Sequence, residues 1–272
     1  MTKVIILGSG AASGVPTISD GWGVCDAHEP KNCRGRAGVY FEDSTTRILI
    51  DSSADVREQL IANNIRRLNA VFYTHAHADH TMGIDDLRAL NYHIDEITGM
   101  QEKVQGRALD IYAVEPHIAE IRRRFDYVLT DEKARELTHR PQLCPHEIEF
   151  GRPLTIGGVK IMPLEFAGHT VITTGYVFND GQLVLIPDYK EIPAQTLAYL
   201  QKIDVNVLIM PLTAIEECRY HAGIDIDKHY ITQIRPQRTV LTHLGAKCDY
   251  QTVLQLCPPH VEPAFDNMVL EL

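Results

Sequence analysis

The segment Thr74-His75-Ala76-His77-Ala78-Asp79-His80 places three imidazoles and a carboxylate within six consecutive positions, separated only by alanines. Neutral imidazole is the commonest protein ligand for zinc-like metals, and a neighbouring carboxylate suits the same borderline ions. On a regular helix, positions 75, 77, 79 and 80 do not share a face, because facing side chains lie three or four residues apart. On a tight loop they converge, with His75 and His77 turned one way and Asp79 and His80 the other. That arrangement suits two metal ions better than one. A histidine cluster is also compatible with a solvated, tag-like tract, so the flanking elements decide.

Those flanks argue for a positioned loop. Residues 68–74 are short, apolar and rich in β-formers, as a buried strand is, and residues 81–90 read as a helix entry. A ligand-rich loop at the C-terminal end of a strand is where α/β architectures place chemistry. The pattern recurs downstream. Two strands around Gly157-Gly158 (154–166) lead to His169 in a Gly-Thr loop, before a further strand at 174–178. An apolar run at 182–187 ends in Asp188, another lies at 205–211, and a run at 239–242 ends in His243. A carboxylate after a strand also caps helices, and Asp188 precedes a helix expected from Pro193. Asp51, with Ser52 and Ser53, follows strands at 39–41 and 47–50 and is read as the cap of a helix from Ala54.

Other features carry less. Residues 4–7 read as a first strand rather than a signal peptide, because the apolar run is brief and turns glycine-rich. Gly8, Gly10 and Gly14 have the wrong spacing for a dinucleotide fingerprint, and Pro16, Asp20 and Gly21 break the stretch that follows. A strand is expected at 108–114 and a helix at 116–125, with Arg122, Arg123 and Arg124 on its solvated face. His93, His117, His139, His146 and His260 read as unremarkable or structural.

The chain of 272 residues has a net charge of −10, which disfavours a broad phosphate-backbone footprint and hence long nucleic acid as a partner. Its six cysteines form no CxxC pair and are too sparse for a disulfide scaffold. Reduced thiols in a cytoplasmic protein are the expectation. No run approaches the roughly 20 apolar residues of a membrane span.

The order His75-x-His77-x-Asp79-His80 after an apolar strand resembles the signature of the metallo-β-lactamase-fold hydrolases. Within that superfamily nearly the whole chain is similar to the PhnP-type phosphodiesterases, and Gly14-Val15-Pro16 matches the end of their glycine-rich segment beside the metal site. The resemblance implies an α/β, four-layer αββα sandwich, one hydrolase domain over residues 1–272, with metals at one sheet edge. It implies two divalent ions per chain, zinc or manganese, with iron also accepted by such sites. By the same resemblance His75, His77 and His169 hold one ion, Asp79, His80 and His243 the other, and Asp188 bridges them. Asp51 stands behind the histidines as an acceptor that orients them. His221 aligns with the family's catalytic histidine as general acid, although no Pro-Thr-His context precedes it, and His229 on the helix at 225–234 competes less well. Asp79 is counted with His221 among the catalytic residues.

The implied reaction is hydrolysis of a small cyclic or nucleotide-like phosphodiester by a hydroxide shared between the ions, in a homodimer. Thioester or lactam hydrolysis and ribonuclease activity are alternatives on the same fold, since fold does not fix substrate, and a non-catalytic metal binder is a third class. Arg34 and Arg36 are candidates to reach a substrate phosphate. A structural zinc present in some relatives is not expected, because Cys25 stands without its two partner cysteines and Ala246 occupies the position of the distant histidine.

Overall fold

The computed structural model describes residues 2–94, 101–103, 108–129 and 143–272. His139 lies outside the described residues, as does the side chain of His93. The strands in the first half are β1 (Lys3–Gly8), β2 (Gly38–Glu42), β3 (Arg47–Ile50), β4 (Ala70–Phe72), β5 (Tyr92–Ile94), β6 (Gln101–Lys103), β7 (Leu109–Ala113) and β8 (Leu143–Glu147). The second half supplies β9 (Leu154–Ile156), β10 (Val159–Phe166), β11 (Thr173–Phe178), β12 (Leu183–Leu185), β13 (Val207–Pro211), β14 (Arg238–Thr242), β15 (Val261–Pro263) and β16 (Met268–Glu271). The helices are α1 (Val56–Ala62), α2 (Ala78–Thr81), α3 (Glu115–Arg124), α4 (Ala194–Leu200), α5 (Ile224–Ile234) and α6 (Tyr250–Leu256).

Two seven-stranded sheets form, in the orders β16-β1-β2-β3-β4-β7-β8 and β15-β14-β13-β12-β11-β10-β9. Side chains alternate across each strand, so each sheet has two apolar faces to bury. In β1, Val4 and Ile6 join Phe41, Ile161, Tyr176 and Phe178 in a core between the sheets. Ile5 and Leu7 point the other way, into a core with Leu60 of α1 and Ile118 and Ile121 of α3. On the far side, Leu208 and Met210 of β13 pack with Leu200 of α4, Ile231 of α5 and Val253 of α6. Three apolar layers separate four layers of secondary structure. This is the αββα sandwich.

Both sheets are mixed, and their parallel strands matter most for the site. β3 runs parallel to β4, and β12, β13 and β14 run parallel to one another. Consecutive parallel strands release their loops at a common edge, and the loops after β3, β4, β12, β13 and β14, with the β10–β11 loop, carry the residues described next. One expectation is corrected here. Asp51 is not a helix cap, because α1 starts at Val56 behind Asp55, and Asp51 instead takes a left-handed φ of 62° that turns its carboxylate toward the loop after β4. No described helix is long and apolar enough to cross a membrane.

Candidate metal centre

The loop after β4 changes conformation at His77, whose extended backbone (φ −67°, ψ 158°) gives way to the single turn of α2. His75 and His77 therefore leave the loop before the helix, while Asp79 and His80 lie within it. His75 Nε2 and His169 Nε2 approach His77 Nδ1 to 2.9 and 3.1 Å, forming one nitrogen group. A second group forms around His80 Nε2, which lies 3.3 Å from Asp79 Oδ2 and 3.3 Å from Asp188 Oδ2. His243 completes it, 3.4 Å from Asp79 Oδ2 and 3.3 Å from Asp188 Oδ1. Within each group one donor atom per residue falls inside 4.8 Å of the others. Asp188 Oδ2 also stands 3.9 Å from His75 Nε2, so this carboxylate faces both groups.

The nitrogens pointing away from the centre are held by hydrogen bonds. Asp51 accepts from Thr74 N–H at 2.8 Å, from Thr74 Oγ1–H at 2.9 Å and from His80 Nδ1–H at 2.7 Å. With its proton given to Asp51, the Thr74 hydroxyl accepts from His75 Nδ1–H at 3.0 Å. His169 Nδ1–H donates to the Tyr220 carbonyl at 3.2 Å, and His77 Nε2 shares a hydrogen bond with Thr170 Oγ1 at 3.0 Å. His75 and His169 thus each keep a bare nitrogen lone pair aimed at the centre, which is the form in which imidazole ligates metals.

Electrostatics point the same way. Burial pushes the His75 imidazole well below the usual histidine range, and the neighbouring His80 charge adds to this. His77 is lowered too, by burial and then by His169. Burial opposes a charge on His80 as well, but the carboxylates of Asp51, Asp188 and Asp79 outweigh it and hold His80 well above the usual range. Burial works against Asp79 and Asp188, yet His243 and His80 keep both far below the ordinary carboxylate range. Even so, His80 Nε2 and Asp188 Oδ1 remain buried without a hydrogen-bond partner, a condition that costs about 1–3 kcal/mol per group. A divalent cation held here would satisfy both atoms. Backed imidazoles mixed with carboxylate oxygens are the donor set that zinc-like ions accept, so the residues present fit such ions.

His221 lies at the rim, its ring centroid 4.8 Å from that of His169 and 6.2 Å from that of His243. Thr213 Oγ1 is 3.2 Å from His221 Nδ1 and 3.2 Å from His243 Nδ1, which leaves His221 Nε2 without a partner among the described hydrogen bonds. Burial lowers the His221 pKa. His229 is elsewhere, on α5, bonded to Gln233 at 2.7 Å.

Several sequence expectations change. Arg34 is 2 % exposed, and its guanidinium donates to Asn32 Oδ1 and the Cys248 carbonyl at 2.8 Å and to the Lys31 carbonyl at 3.2 Å. It ties two loops together and has no route to a phosphate. Arg36 is paired with Asp55 at 2.9 Å and donates to the Ala12 carbonyl at 2.9 Å. His117 is buried and donates to the Ile172 carbonyl, and His146 bonds Asp110 at 2.8 Å with Cys144 close by. Arg124 is not merely solvated, since it donates to the Ala76 carbonyl at 2.6 Å within the central loop. Thr74, Thr170 and Thr213 carry no distinguishing sequence signal. Their only hint is position beside a ligand-type residue at a strand end.

A family model for the β-lactamase superfamily domain matches residues 46–244, and the chain belongs to that family. Among solved structures, it is similar to one described as a new diphosphatase from the PhnP family (TM-score 0.83, 25% identity, covering 100% of this chain and 98% of that one). Zinc-bound PqqB from Methylobacterium extorquens shares the fold at a TM-score of 0.72 and 16% identity, covering 99% of this chain and 100% of that one. Among curated proteins, an octanoyltransferase of Porphyromonas gingivalis is 29% identical over 268 residues, 98% of this chain and 51% of the relative. The chain thus spans about half the length of that relative.

Proposed function

We propose that the protein is a metal-dependent hydrolase, and specifically a phosphodiesterase acting on a small cyclic or nucleotide-like phosphodiester. One observation carries the reading: two donor groups meet at Asp188, with His221 at their shared rim. The similarity to a PhnP-family diphosphatase supports hydrolysis at phosphorus. His75, His77 and His169 would hold one ion and Asp79, His80 and His243 the other, with Asp188 placed to serve both. Zinc or manganese suits this set, and iron is a third option. When bound, such a pair supplies the Lewis acidity that lowers the pKa of water and offsets charge on phosphoryl oxygens.

The chain's own residues supply the rest. Asp51 and Thr74 hold the imidazoles of His80 and His75 in their ligating tautomers. Thr213 orients His221 through Nδ1, so that Nε2 delivers a proton to the departing alkoxide. The acidic surface supports a small diester over long nucleic acid. The reading extends to one hydrolase domain over residues 1–272, a cytoplasmic location and a homodimer.

Metal content and turnover test it, using bis(4-nitrophenyl) phosphate, glycerol 1,2-cyclic phosphate, a thioester and a β-lactam. About two ions per chain and diesterase activity are expected. Asp188→Ala should lose both metal and activity. His221→Ala should keep its metal and lose about 10²–10⁴-fold in kcat on the cyclic diester, whose alkoxide needs a proton. Its loss should be much smaller on the nitrophenyl ester, whose leaving group departs as an anion. Thioester or lactam cleavage without diesterase activity moves the protein to another branch of the superfamily.

A further inference from the structure

Beside His77 opens a cavity of about 520 Å³ that no step above uses. Its size lies in the range of small-molecule sites, about 300–1,000 Å³. Ala76 and His77 form the side that adjoins the first nitrogen group, and Val114, Phe150, Val171 and Ile172 supply apolar walls. Val171 and Ile172 lie just after His169 and are 38 % and 51 % exposed, so an apolar pair stands open to solvent at the edge of the centre. Its placement is not loose, because His117 Nε2–H donates to the Ile172 carbonyl at 2.8 Å.

One carboxylate, Glu120, serves two guanidiniums at this rim. Arg124 is engaged by Glu120 at 2.5 Å and by the Ala76 carbonyl at 2.6 Å, and Glu120 also holds Arg123 at 2.6 Å. Among the described residues that line the cavity, Arg124 is the one guanidinium, and it is already engaged by Glu120 and the Ala76 carbonyl. The anionic part of a substrate therefore belongs at the donor groups, and what this cavity accepts is neutral and apolar. Phe150 is the aromatic carbocycle in this lining, and an aromatic pair adds to simple burial.

We propose that this cavity binds the ring-bearing organic group of a phosphoester whose phosphoryl group sits at the donor groups, with Phe150, Val171 and Ile172 setting the preference for it. The proposal rests on the phosphodiesterase reading for its phosphoryl half, and binding measurements separate the two. The metal-loaded protein is titrated calorimetrically with methylphosphonate, phenylphosphonate and hexylphosphonate, none of which turns over. Phenylphosphonate is expected to bind about tenfold or more tighter than methylphosphonate, as burial of a ring implies. Ile172→Ser and Val171→Ser, both at solvent-exposed positions that folding tolerates, should cut that ratio to about threefold or less.

Equal affinities for the methyl and phenyl anions, a ratio unchanged in both variants, or no anion binding at all would overturn the proposal. A hexyl anion that outbinds the phenyl one would overturn the assignment of a ring. Diester turnover is scored separately. A phenyl preference without diesterase activity sustains the cavity and removes the reaction, whereas turnover without the preference does the reverse.

Discussion

Asp51 touches the centre only through other side chains, yet it accepts three hydrogen bonds that set two imidazoles. Its left-handed φ of 62° is one that asparagine and aspartate adopt more readily than other non-glycine residues, so Asp51→Asn leaves the backbone in place. The amide is less apt than the carboxylate to accept from both His80 Nδ1–H and Thr74 Oγ1–H. Metal affinity in Asp51→Asn should fall about 10–100-fold, measured by competition with a chromogenic chelator, while the melting temperature of the metal-free protein changes little. An unchanged affinity would mean that Asp51 serves the loop geometry alone. Arg34 teaches the converse. Its residue type fits a phosphate ligand, but its burial among backbone carbonyls makes it a stitch between loops.

The elements act as carriers whose ends matter more than their interiors. β14 delivers His243 at a φ of 55°, a second non-glycine residue held in a sparsely populated conformation at the centre. α5 carries a less obvious liability. Asp227 is fully buried in that helix, where Tyr189 O–H donates to its Oδ1 at 2.6 Å and Oδ2 has no partner. Burial pushes this carboxyl up to about 7 from an ordinary value of 3.8. In the unfolded chain it ionises near 3.8, so between there and about 7 the folded state binds the extra proton, and stability falls as pH rises across that window. Asp227→Asn removes the titration and can still accept from Tyr189. It should melt a few degrees higher than the parent at pH 8 and nearly level with it at pH 4, read by thermal denaturation.

At the scale of the whole molecule, the centre is divided between the two halves of the sandwich. Asp51 and residues 74–80 come from the first sheet, and His169, Asp188, Thr213 and His243 from the second. A cation that both sides ligate stabilises the folded chain over the unfolded one, by about 2.7 kcal/mol at a free concentration a hundredfold above Kd. His80 is held protonated by the carboxylates around it when no cation is present, so ligation must displace that proton. The rise in melting temperature on adding zinc or manganese should therefore grow between pH 6 and pH 8. Calorimetric titrations in buffers of different ionisation enthalpy should register protons released. A pH-independent rise would count against His80 as a ligand.

Local order along the chain determined a good deal. Apolar runs of strand length place β1, β2, β3, β4, β7 and β10 to β14 within a few residues of where they form, because side-chain period and turn residues are properties of neighbours in sequence. The ligand-type residues at successive strand ends were legible for the same reason, and the resemblance to a known superfamily added the αββα layering. What only the tertiary structure decided lies between residues far apart in the chain. Thr213 joining His221 to His243, Thr170 behind His77, Arg34 withdrawn from the centre, and the apolar cavity between α3 and the loop after His169 are all such pairings. Sequence spacing fixes which side chains share a strand or turn, whereas distance between strands of two sheets is set by how their faces pack, and that is written in no single segment.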